Sequence, residues 1–380
     1  MNLFDVYPLM PVTLTHGEMC RVFDENNNPY YDLYGGHAVI SIGHNHPHYL
    51  SRLQDQMRKI GYYSNSVQIP IQKEVANKLG ALSGYPDYAL FFCNSGAEAV
   101  ENALKLASFH TGKAGIISFK KGFHGRTSGA VAVTDNPKIQ APFNQGHQVE
   151  ILEPEQLGPV EEVLKKGETA AVIIEGIRGV GGIYVPSSEF LHGLRALCDE
   201  YGALLILDEI QSGFGRTGKF FAHQHQGVQA DIITMAKGMG NGFPVGGILI
   251  SPMIEASYGL LGTTFGGNHL ACAATLAVLE VIEEEELIPY VAEVGAEWKK
   301  QIEAIPAVQS VEGLGFMLGV NFDFPIKDMR KSLAMEHHIL TGVSANPNQI
   351  RLLPTLNLGK QSMDIFVEKL QTVLLEMQLI

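Results

Sequence analysis

Three short stretches of the 380-residue chain set a reactive side chain at the end of an apolar run or against glycine. In ALLILDEIQSGFGRTG, Asp208 and Glu209 close an apolar run, where a carboxylate is poorly solvated. Asp208 there either caps the following loop or pairs with a cationic ring nitrogen, keeping that nitrogen protonated and the ring electron-poor. In ADIITMAKGMGNGFPVGG, Lys237 follows a second apolar run and enters a glycine-rich loop. Partial burial lowers the pKa of such an amine and frees it to attack a carbonyl carbon. The competing reading is a surface lysine reaching out from a strand end. The flanking glycines favour the first reading, because backbone without a Cβ can approach a ligand closely. In ALFFCNSGAEAVENALKLAS, the turn Asn94-Ser95-Gly96-Ala97 joins an apolar run to an amphipathic stretch. Amides at such a helix start bind phosphate with help from the helix dipole, and Ser95 as a plain N-cap is compatible with that role.

The elements that must position these groups are legible as alternation. From about residue 71 to about 250, the apolar runs ALFFC, GIISF, VAVT, AAVIIEG, ALLILDE, DIITM and VGGILIS are separated by amphipathic helices such as 97–110 and 189–201. The second helix follows Pro186-Ser187-Ser188 and stops at Gly202, which are start and stop signals. Near-continuous apolar strands separated by helices imply an α/β fold, with a mostly parallel seven-stranded sheet covered by helices on both faces. Ligands of such sheets sit beyond the carboxyl ends of the strands, where Asp208, Lys237 and the 94–97 turn all fall. Residues 11–42 read as short strands, with Asn26-Asn27-Asn28-Pro29 as a turn between two of them. Residues 270–285 read as a helix whose Glu283–Glu286 run is a solvated face or end. The C-terminal third mixes helices with strands such as GFMLGVNF and IRLLPTL. The expected division is an N-terminal segment 1–55, a large domain 56–274, and a smaller α+β domain 275–380 that also takes in the N-terminal strands.

Composition narrows the class. A net charge of −13 leaves no basic footprint for nucleic acid or an anionic membrane. No apolar run approaches the ~18 residues of a membrane span, and no secretory signal is legible, so a cytoplasmic enzyme is expected. Cys20, Cys93, Cys198 and Cys272 are scattered without a C-x-x-C pair and read as reduced thiols. His44, His46 and His48, like His223 and His225, are spaced as metal ligands can be. Neither group brings a cysteine or carboxylate set, so both read as structural and no metal is expected. GLGFMLGV only loosely matches a dinucleotide fingerprint, lacks a preceding strand in this reading, and is taken as a strand of the smaller domain.

A phosphate turn, then a strand-end Asp, then a strand-end Lys is the set that a pyridoxal-phosphate site needs. The chain resembles the class III, fold-type I pyridoxal-phosphate-dependent aminotransferases, and among them the acetylornithine aminotransferases most. The segments carrying the resemblance run nearly the whole length in order. They are YYDLYGGHAVISIGHNHP, FFCNSGAEAVENALKLA, GFHGRT, LLILDEIQSGFGRTG, DIITMAKGMGNGFPVGG, TTFGGNHLACAATLAVL, GLGFMLGV and IRLLPTL. The resemblance implies that Gly96 and Ala97 hold the phosphate, Phe123 stacks on the ring, Asp208 pairs with its nitrogen, and Gln211 bonds near its hydroxyl. It implies that Lys237 carries the cofactor covalently and moves the proton. Thr264 would reach the phosphate in the neighbouring subunit, making a homodimer with shared sites. Thr263 would touch substrate, and Arg126 and Arg351 would clamp carboxylates, a task suited to a planar fork.

The chain departs from the family where relatives carry E-P-x-Q-G-E-G-G. Here the segment is Glu175-Gly176-Ile177-Arg178-Gly179-Val180-Gly181-Gly182. Glu175 is kept, Arg178 replaces Gln, and Val180 replaces the Glu thought in relatives to gate the arginine matching Arg351. The segment loses an acid and gains a cation. Either Arg178 reads a second carboxylate on the substrate, as in a succinyl group, or it points outward to a structural partner. The expected function is transfer of the δ-amino group of N-acetylornithine, or N-succinylornithine, to 2-oxoglutarate in arginine biosynthesis. Other ω-aminotransferase substrates (ornithine, 4-aminobutyrate, N-succinyl-diaminopimelate) and a pyridoxal-phosphate aminomutase stay open at this point.

Overall fold

The computed structural model describes all 380 residues. The first strands are β1 (Leu14–Glu18), β2 (Arg21–Asp24) and β3 (Pro29–Asp32), paired as an antiparallel meander. The asparagine-rich turn between β2 and β3 is tied by Asp24, whose carboxylate accepts from the amides of Asn26 and Asn28 at 2.9 and 2.8 Å.

The central sheet contains β4 (Ala89–Cys93), β5 (Gly115–Phe119), β6 (Val149–Leu152), β7 (Thr169–Glu175), β8 (Leu204–Asp208), β9 (Ile232–Met235) and β10 (Gly246–Ile250). Their spatial order is β4-β10-β9-β8-β7-β5-β6, with only β10 antiparallel to its neighbours. β7, β8 and β9 are buried at every residue, which is why their sequences run apolar without alternation. The helices on the two faces start and stop as their cap residues dictate. Ser95 accepts from the Glu98 amide at the head of Gly96–Thr111, and Ser187 from the Phe190 amide at the head of Ser188–Tyr201. Gly112 and Gly202 end these helices in the left-handed conformation.

Two expectations fail locally. VAVT is not a strand: residues 128–132 form a short helix, because the Glu101 carboxylate accepts from the amides of Gly129 and Ala130 at 2.7 and 3.1 Å. That cap overrides the β-propensity of the valines, and the seventh strand is β6, the VEIL run, at the sheet edge. GLGFMLGV does have a preceding strand: β11 (Ser310–Leu314) and β12 (Met317–Asn321) form a hairpin that turns at Gly315, φ 56°.

The remaining strands are β13 (Ile339–Leu340), β14 (Gly342–Val343) and β15 (Gln349–Leu352). β13 joins the N-terminal meander beside β3, so the two chain ends share a sheet, while β11-β12-β15-β14 make a second. The helix His269–Glu284 ends in the expected acidic run, with Glu283 to Glu286 exposed. One apolar cluster of 63 buried side chains passes from Leu33 through β7–β9 to Leu374, so the chain-end sheets are packed onto the central one without a gap. No helix is long and apolar enough to cross a membrane.

Candidate active site

Register places the chemistry. Glu175 and Asp208 are paired across β7 and β8 at the carboxyl ends of both strands, and Asp208 pairs across to Thr234 on β9. Two residues after β9 ends, Lys237 stands in left-handed backbone, φ 47°. A cavity of about 280 Å³ opens above these ends. It is lined by Gly96, Ala97, Phe123, Arg126, Glu175, Val180, Asp208, Gln211 and Lys237 among the expected residues, and also by His124, Gly125, Ile177 and Ile210.

Electrostatics suit a nucleophilic amine. Burial is the main cause that lowers the Lys237 pKa, to about 8; Asp208 and Glu175 oppose the fall and Arg351 adds to it. The amine is therefore available to a carbonyl at much lower pH than an exposed lysine. Asp208 is 4% exposed. Its Oδ1 accepts from the Ile210 amide at 3.1 Å and its Oδ2 lies 2.7 Å from His124 Nδ1. Glu175 is used on both oxygens, accepting from the Phe123 amide at 3.0 Å and the Gly179 amide at 2.9 Å. It thus ties the Phe123 loop to the 176–182 loop, and burial pushes its carboxyl pKa up.

The residues fit pyridoxal phosphate on three counts. The amides of Gly96 and Ala97, the first of their helix, find no partner within the chain and open on the cavity. A Cβ at Gly125 would lie 3.0 Å from that of Ala97, so the wall against this turn needs glycine. The Asp208 carboxyl group and the Lys237 amine, whose pKa is low, line the same cavity.

Arg351, on β15, is 2% exposed. Its Nη1 donates to Gln211 Oε1 (3.2 Å), Nε to the Val343 carbonyl (2.6 Å) and Nη2 to the Tyr34 hydroxyl (3.4 Å), with no carboxylate in salt-bridge range. Gln211 Nε2 donates in turn to the His37 carbonyl at 3.1 Å. That carbonyl belongs to a left-handed turn in which Gly35, Gly36, His37 and Ala38 all have φ between 54° and 70°. Glycine takes this conformation freely, but His37 and Ala38 each cost about 1–2 kcal/mol there. Burial and the charges of Lys237 and Arg351 lower the His37 pKa.

Five expected residues are not part of the cavity lining: Ser95, which caps its helix, Arg351, which lies behind Gln211, and Arg178, Thr263 and Thr264. Arg178 turns outward: its guanidinium lies 4.6 Å from the centre of the Tyr184 ring, with Nε donating to the Gly182 carbonyl (3.2 Å) and Nη1 to that of Lys120 (3.4 Å). The reason is local, since the 178 and 184 backbones form a β-bridge that sets the side chain over the Tyr184 ring. Thr263 Oγ1 accepts from the Gly266 amide (3.0 Å) and meets Asn94 Nδ2 (3.4 Å), beside the turn that starts the Gly96–Thr111 helix. Thr264 is exposed on the same loop. Arg126 is exposed at the cavity rim without a hydrogen bond or ion pair.

Sequence reasoning passed over His124, Tyr34 and His37. The signals were present in GFHGRT and YGGHAV, but a histidine beside a chosen residue carries no mark of its burial. The spaced histidines are structural partners. His44 meets Asp32, His46 meets Glu285, His48 meets Glu280, and His223 is buried between Glu209 and Tyr85.

A profile of the family described as aminotransferase class III matches residues 5–374. The chain is 40% identical over 370 residues to the acetylornithine aminotransferase of Archaeoglobus fulgidus, spanning 97% of this chain and 96% of that one. It is 39% identical to the acetylornithine aminotransferase of Bacillus subtilis, over 97% of each chain. An ornithine aminotransferase structure from Toxoplasma gondii, described with partial occupancy of PLP at its active site, superposes with a TM-score of 0.89 at 27% identity. That match covers 97% of this chain and 91% of the other.

Proposed function

The chain belongs to the class III aminotransferases, pyridoxal-phosphate-dependent enzymes of fold-type I, and on that premise we propose that it moves the δ-amino group of N-acetylornithine to 2-oxoglutarate. Pyridoxal phosphate supplies an aldehyde that takes up the amino group and an electron-poor ring that accepts the electrons left when a substrate C–H proton is removed. The protein supplies the rest. Lys237 holds and returns that proton, and its lowered pKa of about 8 lets one amine act as both base and acid near neutral pH. Asp208 would be the counter-charge to the ring nitrogen. The free amides of Gly96 and Ala97 would take the phosphate, and Phe123 would lie against the ring.

The observation that carries the substrate assignment is the free Arg126 at the cavity rim, the buried Arg351 behind Gln211, and the apolar part of the cavity wall. Arg126 is an unpaired guanidinium at the rim and suits the α-carboxylate common to acetylornithine and 2-oxoglutarate. Arg351 suits the second carboxylate of the oxo acid. Ile177, Val180 and Ile210 make part of the wall apolar. That wall favours an uncharged acyl group, and Arg178, stacked on Tyr184, is not disposed to read a succinyl carboxylate.

The proposed unit is a homodimer with Thr264 contributed across the interface. Exposed Tyr62, Tyr63, Val67, Tyr258 and Phe265 around that loop support an apolar contact there. We place the enzyme in arginine biosynthesis and in the cytoplasm. Four unpaired cysteines, three of them buried, support a reducing compartment.

The test is a half-reaction panel following conversion of the bound cofactor from its aldehyde to its amine form with free, acetyl- and succinylornithine. Acetylornithine should react with the highest kcat/KM, and 2-oxoglutarate should reverse the change. A tenfold preference for succinylornithine or free ornithine would overturn the assignment.

A further inference from the structure

The loop 176–183 supplies Ile177 and Val180 to the cavity wall, and it is held from two sides. On the inner side the Gly179 amide donates to Glu175 Oε2 at 2.9 Å. On the outer side the loop meets the sheet that carries Arg351. There the Val180 carbonyl accepts from the Ala345 amide at 2.8 Å, and the Ile183 amide donates to Gln349 Oε1 at 3.0 Å. Val180 has no charge to offer Arg351, so neutral hydrogen bonds fasten the wall to the arginine's strand. Gln349 is buried, lies outside the cavity lining and has no part in the mechanism above.

Strand alternation puts Gln349 and Arg351 on one face of β15, while Ile350 and Leu352 join the apolar cluster from the other. Asn321 of β12 stands opposite Gln349, and its Oδ1 accepts from Gln349 Nε2 at 3.0 Å, which leaves the amide oxygen for Ile183. Gly319, opposite Arg351, makes the room. A Cβ there would stand 2.7 Å from Gln349 Nε2 and 2.8 Å from Ile183 Cβ. Ile183 and Ile177 belong to one small apolar cluster, so a shift at Ile183 is passed on to the wall. Arg351 is placed independently, by the β12–β15 ladder and by Gln211, Val343 and Tyr34.

We propose that Gln349 is a positioning residue for the acyl group of the amino donor: by holding the Ile183 amide it fixes the apolar wall of Ile177 and Val180 against which that group lies. This rests on acetylornithine being the donor and deepens that reading by naming what sets the shape of the wall. Gln349 acts through Ile183 alone. Its effect should therefore fall on KM for acetylornithine, with kcat and the 2-oxoglutarate half-reaction little changed.

Gln349→Met keeps the length of the side chain and removes both hydrogen bonds. Gln349→Glu keeps an oxygen for the Ile183 amide and, as the neutral acid, a hydroxyl for Asn321. Wild-type and variant holoenzymes are compared by thermal unfolding, by deuterium exchange of residues 176–184, and by the kinetics of each half-reaction. Gln349→Met should speed exchange in that segment about 10-fold and raise KM for acetylornithine about 5- to 20-fold, with kcat/KM for 2-oxoglutarate within about threefold of wild type. Gln349→Glu should bring exchange and KM back to within about threefold. Unchanged exchange in a folded Gln349→Met variant overturns the proposal, and so does faster exchange with an unchanged KM. Equal losses in both half-reactions also overturn it, because Arg351 would then have moved with the loop. If Gln349→Met fails to fold, Gln349→Asn, whose amide stops one bond short of Ile183, is judged by the same outcomes. Failure of the wild-type protein to react with acetylornithine would strike the donor assignment instead, and the exchange rates would still decide whether Gln349 holds the wall.

Discussion

Replacing Gly179 by alanine should detach Arg351 from Gln211. An ideal Cβ at Gly179 would stand 3.0 Å from Gln211 Cδ, nearer still to Oε1, and 3.5 Å from Arg351 Nη1. The backbone there is not left-handed, so the added methyl acts through space alone. Gln211 is buried, and relief of the contact requires its oxygen to withdraw by roughly 1 Å, enough to break the 3.2 Å bond from Arg351. A hydrogen bond to a charged group contributes about 1.5–3 kcal/mol, or roughly 10- to 150-fold in a rate or affinity that depends on it. Arg351 keeps the Val343 carbonyl and Tyr34, so it stays in place but loses its aim. The loss should appear in kcat/KM for 2-oxoglutarate, measured as its own half-reaction, with a smaller effect on acetylornithine. Thermal unfolding of the cofactor-loaded protein separates this from general overpacking. Gln211→Ala removes the atom that the methyl strikes, so Gly179→Ala added to it should cost little more. That cycle should therefore show a coupling close to the whole single-mutant loss. Strict additivity, or a Gly179→Ala enzyme of normal kcat/KM, would refute the reasoning.

Lys237→Ala should lower multiple-turnover activity by at least about 10³-fold while leaving the unfolding transition near that of the cofactor-free wild type, since the amine is both tether and proton carrier. Substantial steady-state turnover in that variant would remove Lys237 from the mechanism. Arg126→Ala should reduce kcat/KM for acetylornithine and 2-oxoglutarate together, and Arg178→Gln should spare both. A selective loss on succinylornithine in the Arg178 variant would return that residue to substrate recognition. Lys237→Ala and Thr264→Ala chains, each weak alone, should regain activity when subunits exchange, because one site of the mixed dimer then holds both wild-type residues. A mixture no more active than its parents would place Thr264 outside the partner's site.

Much of the site was legible because its chemistry coincides with strong local signals. Asp208 and Lys237 end apolar runs, and the strands form from those runs because both sheet faces are covered, so the carboxyl ends fall where a ligand must sit. Ser95, Gly112, Ser187 and Gly202 mark helix ends by backbone chemistry that needs no distant partner. The errors came where a distant residue intervened. VAVT has the composition of a strand, but Glu101 caps the amides of Gly129 and Ala130 just before it and starts a helix that runs into it. For Arg178 the sequence leaves both substrate recognition and an outward structural partner open, and the bridge between residues 178 and 184 sets it on Tyr184. The partners of Asp208 and Arg351 are 84 and 140 residues away in the chain, and no local pattern encodes such a contact. Sequence alone determined which groups could do the chemistry and on which strand ends they stand. The tertiary structure decided which of them are buried, held or turned away, because burial and hydrogen-bond partners exist only once separate strands and loops meet at one cavity.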